Sequence, residues 1–265
     1  MGILNVTPDS FSDGGSYLKA EQAVAHAQRM IQDGAHIIDV GGESSRPGAD
    51  PVSLEEELAR VLPTIQAIRA ASDVLISIDT VKSEVARAAL DAGADIVNDI
   101  SACRTDPGMM EVVRNSQAGL VLMHMRGTPR TMQAGDLSTD CVVTDVMDFF
   151  RERIEAMREF GIEESQLCLD PGIGFGKTVA QNFSLCRSLR TMGELGRPIL
   201  FGISRKSCLG ALINRPAEER DAASLTSDIW ALQQGASVLR VHNVRQTMDA
   251  LCVWDQLSNG ELSRG

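Results

Sequence analysis

The segment LDPGIGFGKT, residues 169–178, places an acid, a lysine and several glycines directly after an apolar run. Its Gly-Lys-Thr ending resembles the loop that binds the phosphates of ATP or GTP. That loop requires a glycine five positions before the glycine of Gly-Lys-Thr. Here the position holds Pro171, whose ring removes a backbone N–H donor. The segment is therefore not a nucleotide-binding loop, and other chemistry must explain it.

Polar side chains recur where short apolar runs end. In chain order they are Asn5, Asp39 with Glu43, Asp79, Asn98 with Asp99, His124, Asp170, Ser204-Arg205-Lys206, and Arg240 with His242. Asp79, Asn98 and Asp170 suit a flat ring with a guanidine-like N–H edge, because a carboxylate binds such an edge in a bidentate way. The cations suit a phosphate or pyrophosphate: Lys206, Arg240 and His242, with Arg46. Together they predict a site for a polar ring that carries an anionic leaving group.

Some of these residues have structural interpretations as well. Asp39 is as well explained by an inward acid paired with an arginine as by a ligand contact. Only one of Asn98 and Asp99 can point inward, because strand side chains alternate between two faces. We predict that Asn98 points inward and that Asp99 caps the strand. His124 is predicted to be a satisfied histidine of the core, and Arg205 an ion-pair partner.

The elements that must position these residues alternate between strands and helices. Amphipathic helical stretches separate eight apolar runs, at residues 2–6, 36–42, 74–80, 95–100, 119–125, 167–172, 199–204 and 238–243. Strands that are apolar on both faces and alternate with helices are typical of parallel sheets. The pattern predicts one (β/α)8 barrel over residues 1–265, with a doubly wound open sheet as the alternative. In such a barrel the C-terminal strand ends meet at one face, where active sites are built.

Long connections follow the first two strands, at residues 7–20 and 43–53, and a third precedes the helix near Val142. Long loops inside a compact domain often bind ligands or close over them. The acidic run SLEEELAR, residues 53–60, is interpreted as a solvated helix start that the helix dipole favours, without a functional role.

The composition argues against several classes of protein. The 265 residues are 43% apolar, and no apolar run reaches the roughly 18–20 residues of a membrane helix. The net charge of −11 argues against a nucleic-acid partner. Six cysteines are scattered without a C-x-x-C pair, which predicts reduced thiols, and neither zinc nor a disulfide framework. No signal peptide is visible, and we expect a cytoplasmic protein.

The motifs as a set resemble one family. The segments MGILNVTPDSFSDGG, IIDVGGESSRPGA, ISIDT, VNDI, LMHM, LDPGIGFGK, SRKS and RVHN occur in this order between Met1 and His242. They are similar to the dihydropteroate synthases, the pterin-binding barrel enzymes of folate biosynthesis. These enzymes join 6-hydroxymethyl-7,8-dihydropterin diphosphate to p-aminobenzoate and release pyrophosphate in the presence of Mg²⁺. The ring with an anionic leaving group, expected above, corresponds to the first of these substrates.

The resemblance implies a role for each matching residue. Asp79, Asn98, Asp170 and Lys206 would hold the pterin, and Asn5 would ligate Mg²⁺. The diphosphate would lie against Ser45, Arg46, Arg240 and His242. The p-aminobenzoate pocket would be formed by Pro47, Phe175, Lys206 and Ser207, with Phe11. The implied catalytic residues are Lys206, Asp79 and Asp13.

The implied mechanism is dissociative. Pyrophosphate leaves first, and the amine of p-aminobenzoate then attacks a pterin cation, which Asp13 would stabilise when its loop closes. A weakly basic aniline nitrogen needs no strong general base. Mobile loops would exclude the water that would otherwise capture the cation.

Two other functions stay open at this point. One is a pterin-binding methyltransferase of the same barrel superfamily, although the cations suit a diphosphate better. The other is a non-catalytic pterin-binding barrel. The last helix carries apolar residues beyond those that one barrel contact requires, and a homodimer through the C-terminal helices is expected: Val244, Met248, Leu251, Cys252 and Trp254.

Overall fold

Eight parallel strands close into a barrel in the computed structural model, which describes residues 1–7, 16–46 and 48–259. The strands are β1 (Gly2–Asn5), β2 (Ile37–Gly41), β3 (Leu75–Asp79), β4 (Ile96–Asp99), β5 (Gly119–Met123), β6 (Leu167–Asp170), β7 (Leu200–Phe201) and β8 (Val238–Leu239). The first six pair in chain order, and β7 pairs with β8. Bridges Leu169–Ile199 and Gly2–Val241 join the two groups. This closure excludes the open-sheet alternative.

Helices surround the strands. They are α1 (Ser16–Gln32), α2 (Leu54–Ala71), α3 (Ser83–Asp91), α4 (Gly108–Ser116), α5 (Val142–Phe160), α6 (Val179–Arg187), α7 (Leu189–Gly193), α8 (Ser207–Ile213), α9 (Asp221–Gln233) and α10 (Val244–Asn259). Short 3₁₀ turns cover Glu164–Gln166 and Ala217–Glu219. Among the described residues, no helix combines the length and the apolar character that a membrane span requires.

The strands are buried on both faces, as parallel strands under a layer of helices must be. In β3, Ile76, Ser77 and Ile78 are all fully buried. On α2, the buried positions Glu57, Val61, Ile65 and Ile68 follow helical spacing, so one face of this helix lies on the barrel. The apolar pattern of the sequence therefore determines which faces meet.

Each strand ends earlier than the sequence pattern suggests. The residues just beyond the strand ends turn away in loops at the C-terminal mouth of the barrel. The left-handed backbone of Ala102, Cys103 and Arg205 (φ 53°, 59° and 58°) turns two of these loops. The connections at 42–53 and 124–141 also lie at this mouth. The loop after β1 includes residues 8–15, which lie outside the described part of the chain.

Candidate active site

A buried network of charges crosses the barrel between β2, β3, β4 and β8. Arg240 donates from Nε to Asp39 Oδ2 at 2.6 Å and from Nη2 to Asp79 Oδ2 at 2.8 Å. Asn98 Nδ2 donates to Asp39 Oδ2 at 3.2 Å. The interpretation of Asp39 as an inward acid paired with an arginine is confirmed, and Asn98 points inward as predicted.

Burial and pairing compete in this network. Burial raises the pKa of Asp79 to about 7, although the nearby Arg240 lowers it and Asp39 raises it further. Burial opposes the charge of Arg240, but Asp39 and Asp79 raise the pKa of its guanidinium above the usual value. Arg240 therefore stays charged, and Asp79 is the group whose ionisation a ligand can change.

Asp99, the residue after Asn98, has the capping role that the sequence predicts. Its carboxylate accepts from Ser101 N at 2.7 Å and from Cys103 N at 2.8 Å. Those bonds hold the two left-handed residues that turn the loop after β4. Asp99 therefore fixes the backbone next to the site and does not face a ligand.

The loop after β6 brings Asp170, Phe175 and Lys206 together. Asp170 Oδ1 accepts from Gly172 N at 2.7 Å. Lys206, from the loop after β7, donates from Nζ to Ile173 O at 2.5 Å, and its Nζ lies 4.7 Å from the centre of the Phe175 ring. Gly172 has φ of 66°, and a Cβ there would lie 1.9 Å from His124 O. The glycines of the opening motif thus allow close backbone packing.

Lys206 is a partly buried cation with no carboxylate in contact among the residues that the structure describes. Burial lowers its pKa to about 8, while Asp170 raises it and Arg240 lowers it. At neutral pH the ammonium is still mostly charged. Burial also raises the pKa of Asp170, and Lys206 is the largest influence in the opposite direction. A Cβ at Gly202 would lie 3.6 Å from Arg240 Cβ and 4.0 Å from Lys206 Nζ, so the two cations flank that glycine.

His242 differs from the prediction that it adds a cation. Burial lowers its pKa to about 4, and Arg205, Arg240 and Arg46 lower it further, so the ring is neutral. Its Nδ1 lies 3.0 Å from Ser204 Oγ. A neutral imidazole can still donate one hydrogen bond from its other nitrogen.

Arg205 forms the ion pair expected of it. Its Nε and Nη2 donate to the two oxygens of Asp221 at 2.6 and 2.9 Å, and Asn243 Nδ2 donates to the same carboxylate at 3.0 Å. Asp221 thus joins the loop after β7 to the segment after β8. This contact fixes the backbone on the N-terminal side of Lys206.

His124 is buried, as predicted, but it is not satisfied. Its ring meets Phe149 edge-on with centroids 5.0 Å apart, and Nδ1 has no hydrogen-bond partner. Burial lowers its pKa to about 3, with Lys177 and Arg126 lowering it further. The ring therefore packs as a neutral group.

The remaining predicted residues lie at or beyond the mouth. Ser45 is half-buried and lines a cavity of about 720 Å³ that also reaches Asp79 and Ile100. Arg46 and Ser207 are exposed, and Asn5 is half-buried at the end of β1. Phe11, Asp13 and Pro47 lie outside the described residues.

Residues 53–60 begin α2 with an acidic first turn, as predicted, and Glu55 and Glu56 are exposed. The prediction is wrong for Glu57 alone, because this acid is not solvated. Glu57 is 1% exposed and accepts from Lys82 Nζ at 2.5 Å, and Glu43 accepts from the same ammonium at 2.5 Å. The spacing of Glu57, Val61 and Ile65 places the acid on the buried face of α2. That spacing is the signal that could have found it.

Lys177 was also missed. It is 3% exposed, although the sequence marks it only as the lysine of a failed nucleotide motif. Two of its partners, Gly172 O and Phe175 O, lie in the same loop, but the third, His124 O, comes from a distant part of the chain that no local pattern indicates.

Asn5 fits a role in holding Mg²⁺. A Cβ at Gly41 would lie 3.8 Å from both Asn5 Oδ1 and Asp79 Cγ, so an amide oxygen and a carboxylate converge there. No group of three or more His, Cys, Asp or Glu that could hold a metal occurs among the described residues. Mg²⁺ often uses only one or two protein oxygens and completes its shell with substrate phosphates and water. The donor set therefore fits a magnesium ion that arrives with a diphosphate.

Comparison with known proteins gives a consistent result. A sequence profile described as "Pterin binding enzyme" matches residues 1–242. A dihydropteroate synthase of Synechocystis is 47% identical over 257 residues, which cover 95% of this chain and 87% of that protein.

Two solved structures from Xanthomonas albilineans are similar over the whole barrel. A dihydropteroate synthase with 4-aminobenzoic acid has a TM-score of 0.91 and 47% identity, covering 97% of this chain and 92% of the other. A dihydropteroate synthase in complex with 7,8-dihydropteroate has a TM-score of 0.87 and 43% identity, with the same coverage of 97% and 92%.

Proposed function

The chain belongs to the pterin-binding enzyme family, and from this premise we propose how its barrel mouth acts. It is a transferase with the dihydropteroate synthase reaction of folate biosynthesis. The reaction joins 6-hydroxymethyl-7,8-dihydropterin diphosphate to p-aminobenzoate, giving 7,8-dihydropteroate and pyrophosphate. The observation that carries our assignment of the site is that Asp79, Asn98, Asp170 and Lys206 lie at one barrel mouth, on four separate strand ends.

The pterin ring binds on the side formed by β3, β4 and β6. The buried Asp170 and the partly buried Asp79 are acceptors for the N–H groups of the ring, and the buried Asn98 offers an amide. Buried carboxylates form strong hydrogen bonds to such donors because little water competes for them. Asp79 Oδ2 is already fixed by Arg240, so its orientation is set before the ring binds.

The diphosphate lies toward β1, β2 and β8. Arg240 and the exposed Arg46 supply positive charge, and the neutral His242 supplies a hydrogen bond. Asn5 would hold Mg²⁺, which neutralises charge on the leaving pyrophosphate when bound. These side chains stabilise charge that develops as the C–O bond breaks, so they favour a dissociative step.

The second substrate lies over Phe175, toward Lys206 and Ser207. Its amine nitrogen attacks the exocyclic methylene carbon of the pterin cation, the carbon that lost pyrophosphate. The nitrogen then loses one of its two protons to solvent, which leaves the neutral C–N bond of dihydropteroate. A neutral aniline needs no strong base for this step. Asp13, Phe11 and Pro47 remain predictions for the loops.

A homodimer through the C-terminal helices remains part of the proposal. Val253 and Leu257 of α10 are 61% and 81% exposed, and Leu212 of α8 is 67% exposed. Val244 instead packs in the core. Sedimentation of Leu257→Lys beside the unaltered chain tests this face, because the added charge should shift a dimer toward monomer. Free thiols at the described cysteines support the cytoplasm as the compartment.

One experiment tests the reaction. The pterin diphosphate and Mg²⁺ are supplied with and without p-aminobenzoate, and dihydropteroate and pyrophosphate are measured together. Equal amounts of both products, dependent on p-aminobenzoate, are expected. Tight binding of the pterin without dihydropteroate would contradict the proposed reaction.

A further inference from the structure

Lys177 is a buried ammonium that binds backbone oxygens in place of a carboxylate. Its Nζ donates to His124 O at 3.0 Å, Gly172 O at 2.9 Å and Phe175 O at 3.0 Å. These three bonds use all the donors of an ammonium. No ion pair of Lys177 occurs within the described ranges 1–7, 16–46 and 48–259.

We propose that Lys177 is a positioning residue for the second substrate, because its ammonium fixes the loop 171–178 that carries Phe175 under Lys206. The proposal rests on the function proposed above. It concerns a side chain that touches neither substrate and acts only through the backbone it holds.

The oxygens that Lys177 binds belong to different parts of the site. His124 O lies just beyond β5, whereas Gly172 O and Phe175 O lie at the two ends of a tight turn closed by Phe175 N donating to Gly172 O at 3.1 Å. The ammonium therefore fastens this turn to the neighbouring strand. Within the turn, Ile173 O accepts from Lys206, and the Phe175 ring lies beneath the same ammonium.

Asn182 provides a second attachment of the loop, so its effect must be separated from that of Lys177. Its Oδ1 accepts from Gly174 N at 2.6 Å, and its Nδ2 donates to Thr178 O at 2.9 Å. Asn182 holds the outer part of the loop against α6. Gln133, further along the connection after β5, donates from Nε2 to Gly174 O at 2.8 Å, but its side chain is exposed. Lys177 connects the loop to the end of β5 through a side chain that is nearly fully buried.

The charge of Lys177 makes this attachment depend on its surroundings. Burial lowers its pKa to about 7, while Asp170 raises it and Lys206 lowers it. The carbonyl oxygens favour the ammonium form, because three of them point at a single nitrogen. Removal of the ammonium would leave three buried carbonyl groups without this partner, which is costly in a low-dielectric interior.

The consequence should be larger for p-aminobenzoate than for the pterin. Of the three ring ligands proposed above, Asp79 and Asn98 lie on strands that do not depend on the loop, and Asp170 ends β6 just before the loop begins. Phe175 and the carbonyl that orients Lys206 both lie in the loop. A loosened turn therefore misplaces the second-substrate side first.

The test uses Lys177→Ala and Lys177→Met, with Arg69→Met as a matched control. Arg69 also donates to backbone carbonyls, Gly93 O at 3.0 Å and Ser72 O at 3.2 Å, but at the opposite end of the barrel. Melting temperature and both KM values are measured for each variant. Propylammonium is then added, because it has the carbon chain and charge that Lys177→Ala removes, with 1-propanol as the neutral probe.

We expect the KM for p-aminobenzoate to rise at least about tenfold in both Lys177 variants, with the KM for the pterin diphosphate changing no more than about threefold. Propylammonium should restore the melting temperature and the KM of Lys177→Ala, and 1-propanol should not. Arg69→Met should lower the melting temperature and leave the ratio of the two KM values unchanged.

Equal rises in both KM values, or a loss that propylammonium does not reverse, would overturn the positioning role. Failure of both variants to fold even with propylammonium would also overturn it, since it would assign Lys177 to stability alone. An unaltered chain that makes no dihydropteroate would refute the proposed function instead. In that case, recovery of the melting temperature of Lys177→Ala by propylammonium would still show that the three carbonyl oxygens bind an ammonium group.

Discussion

The two sides of the barrel mouth hold a lysine in opposite ways. After β2 and β3, Lys82 lies between Glu43 and Glu57, and these carboxylates raise its pKa although burial lowers it. After β5 and β6, Lys177 has only carbonyl oxygens, and burial lowers its pKa to about 7. A lysine is therefore always charged near neutral pH at position 82, whereas the charge of Lys177 depends on pH and on its surroundings.

The residues that face the ligands follow the same division. Arg240 is paired with Asp39 and Asp79, whereas Lys206 has one carbonyl oxygen and an aromatic ring. Paired charges keep their geometry without a ligand, so the paired side is preorganised to recognise a ring. An unpaired buried cation gains a partner when an anionic or electron-rich ligand arrives. This difference divides the mouth into a recognition side, with the paired Arg240, Asp39 and Asp79, and a reaction side, with Lys206 and Phe175.

The largest effect is expected on the unpaired side. Lys206→Ala should lower kcat/KM roughly 10²–10³-fold, because it removes a preorganised cation from a water-excluded site. The variant should unfold at the same or a higher temperature, since an unpaired buried charge is costly to the fold. Steady-state kinetics and a melting curve check both parts, and a destabilised but active variant would contradict the division.

The paired side should respond in the opposite way. Lys82→Met leaves the carboxylate of Glu57 buried without its cation, which should cost about 3 kcal/mol of unfolding free energy. Lys82→Met with Glu57→Gln should recover part of that loss. Urea unfolding of the single and double variants measures the difference, and two additive losses would show that the pair does not act as a unit.

A smaller effect is expected at the contact that joins the loops after β7 and β8. Asp221→Asn weakens the bidentate bond to Arg205 and should cost about 2 kcal/mol, because hydrogen bonds between charged groups are worth that order. Arg205 has a left-handed backbone (φ 58°), so the weakened contact should also displace Lys206 slightly and lower kcat a few-fold. Denaturation and kinetics of the variant check these effects; an unchanged denaturation midpoint would contradict the role of the contact.

The last effect is one of pH, at a buried acid away from the ligands. Burial raises the pKa of Asp228 from 3.8 to about 8, and its Oδ1 has no hydrogen-bond partner in the described part of the chain. The folded state therefore holds a proton that the unfolded state releases first, so stability falls as pH rises from about 4 to about 8.

Asp228→Asn removes that dependence. The stability of the variant relative to the unaltered chain should rise by up to about 1.4 kcal/mol per pH unit inside this window and stay constant below it. Melting temperatures at pH 4, 6 and 8 measure the slope. A constant difference across that range would show that Asp228 does not titrate as its burial implies.

Local patterns in the sequence are sufficient to predict several contacts on the recognition side. Alternation along the strands predicts that only one of Asn98 and Asp99 faces inward, and the choice of Asn98 is confirmed. The partner of Asp39 could be predicted as an arginine because a buried acid at a strand end needs a cation. These inferences depend on periodicity and on charge pairing, both of which are visible in a single sequence.

Other features depend on distances that a sequence does not contain. Burial lowers the pKa of His242, and Arg205 and Arg46 from two other loops lower it further together with the neighbouring Arg240. Lys177 meets oxygens at positions 124, 172 and 175, and nothing local indicates that they surround one nitrogen. The sequence pattern also predicts strands that extend too far at their C-terminal ends, because the polar residues at the mouth do not pair with a neighbouring strand and form loops instead. A sequence thus predicts which side of a strand a residue faces and which charges will pair. It does not predict the surroundings of a side chain whose neighbours come from distant parts of the chain.

The most direct test of the division is calorimetric titration of the pterin diphosphate, with Mg²⁺, into the unaltered chain, Asp79→Asn and Phe175→Leu. The first variant loses a charge-assisted contact to the ring, and the second alters only the reaction side. We predict that Asp79→Asn weakens binding by about 100-fold and that Phe175→Leu changes Kd by less than about threefold. Equal affinity of Asp79→Asn and the unaltered chain, or a large loss in Phe175→Leu, would contradict the separation of ring recognition from reaction.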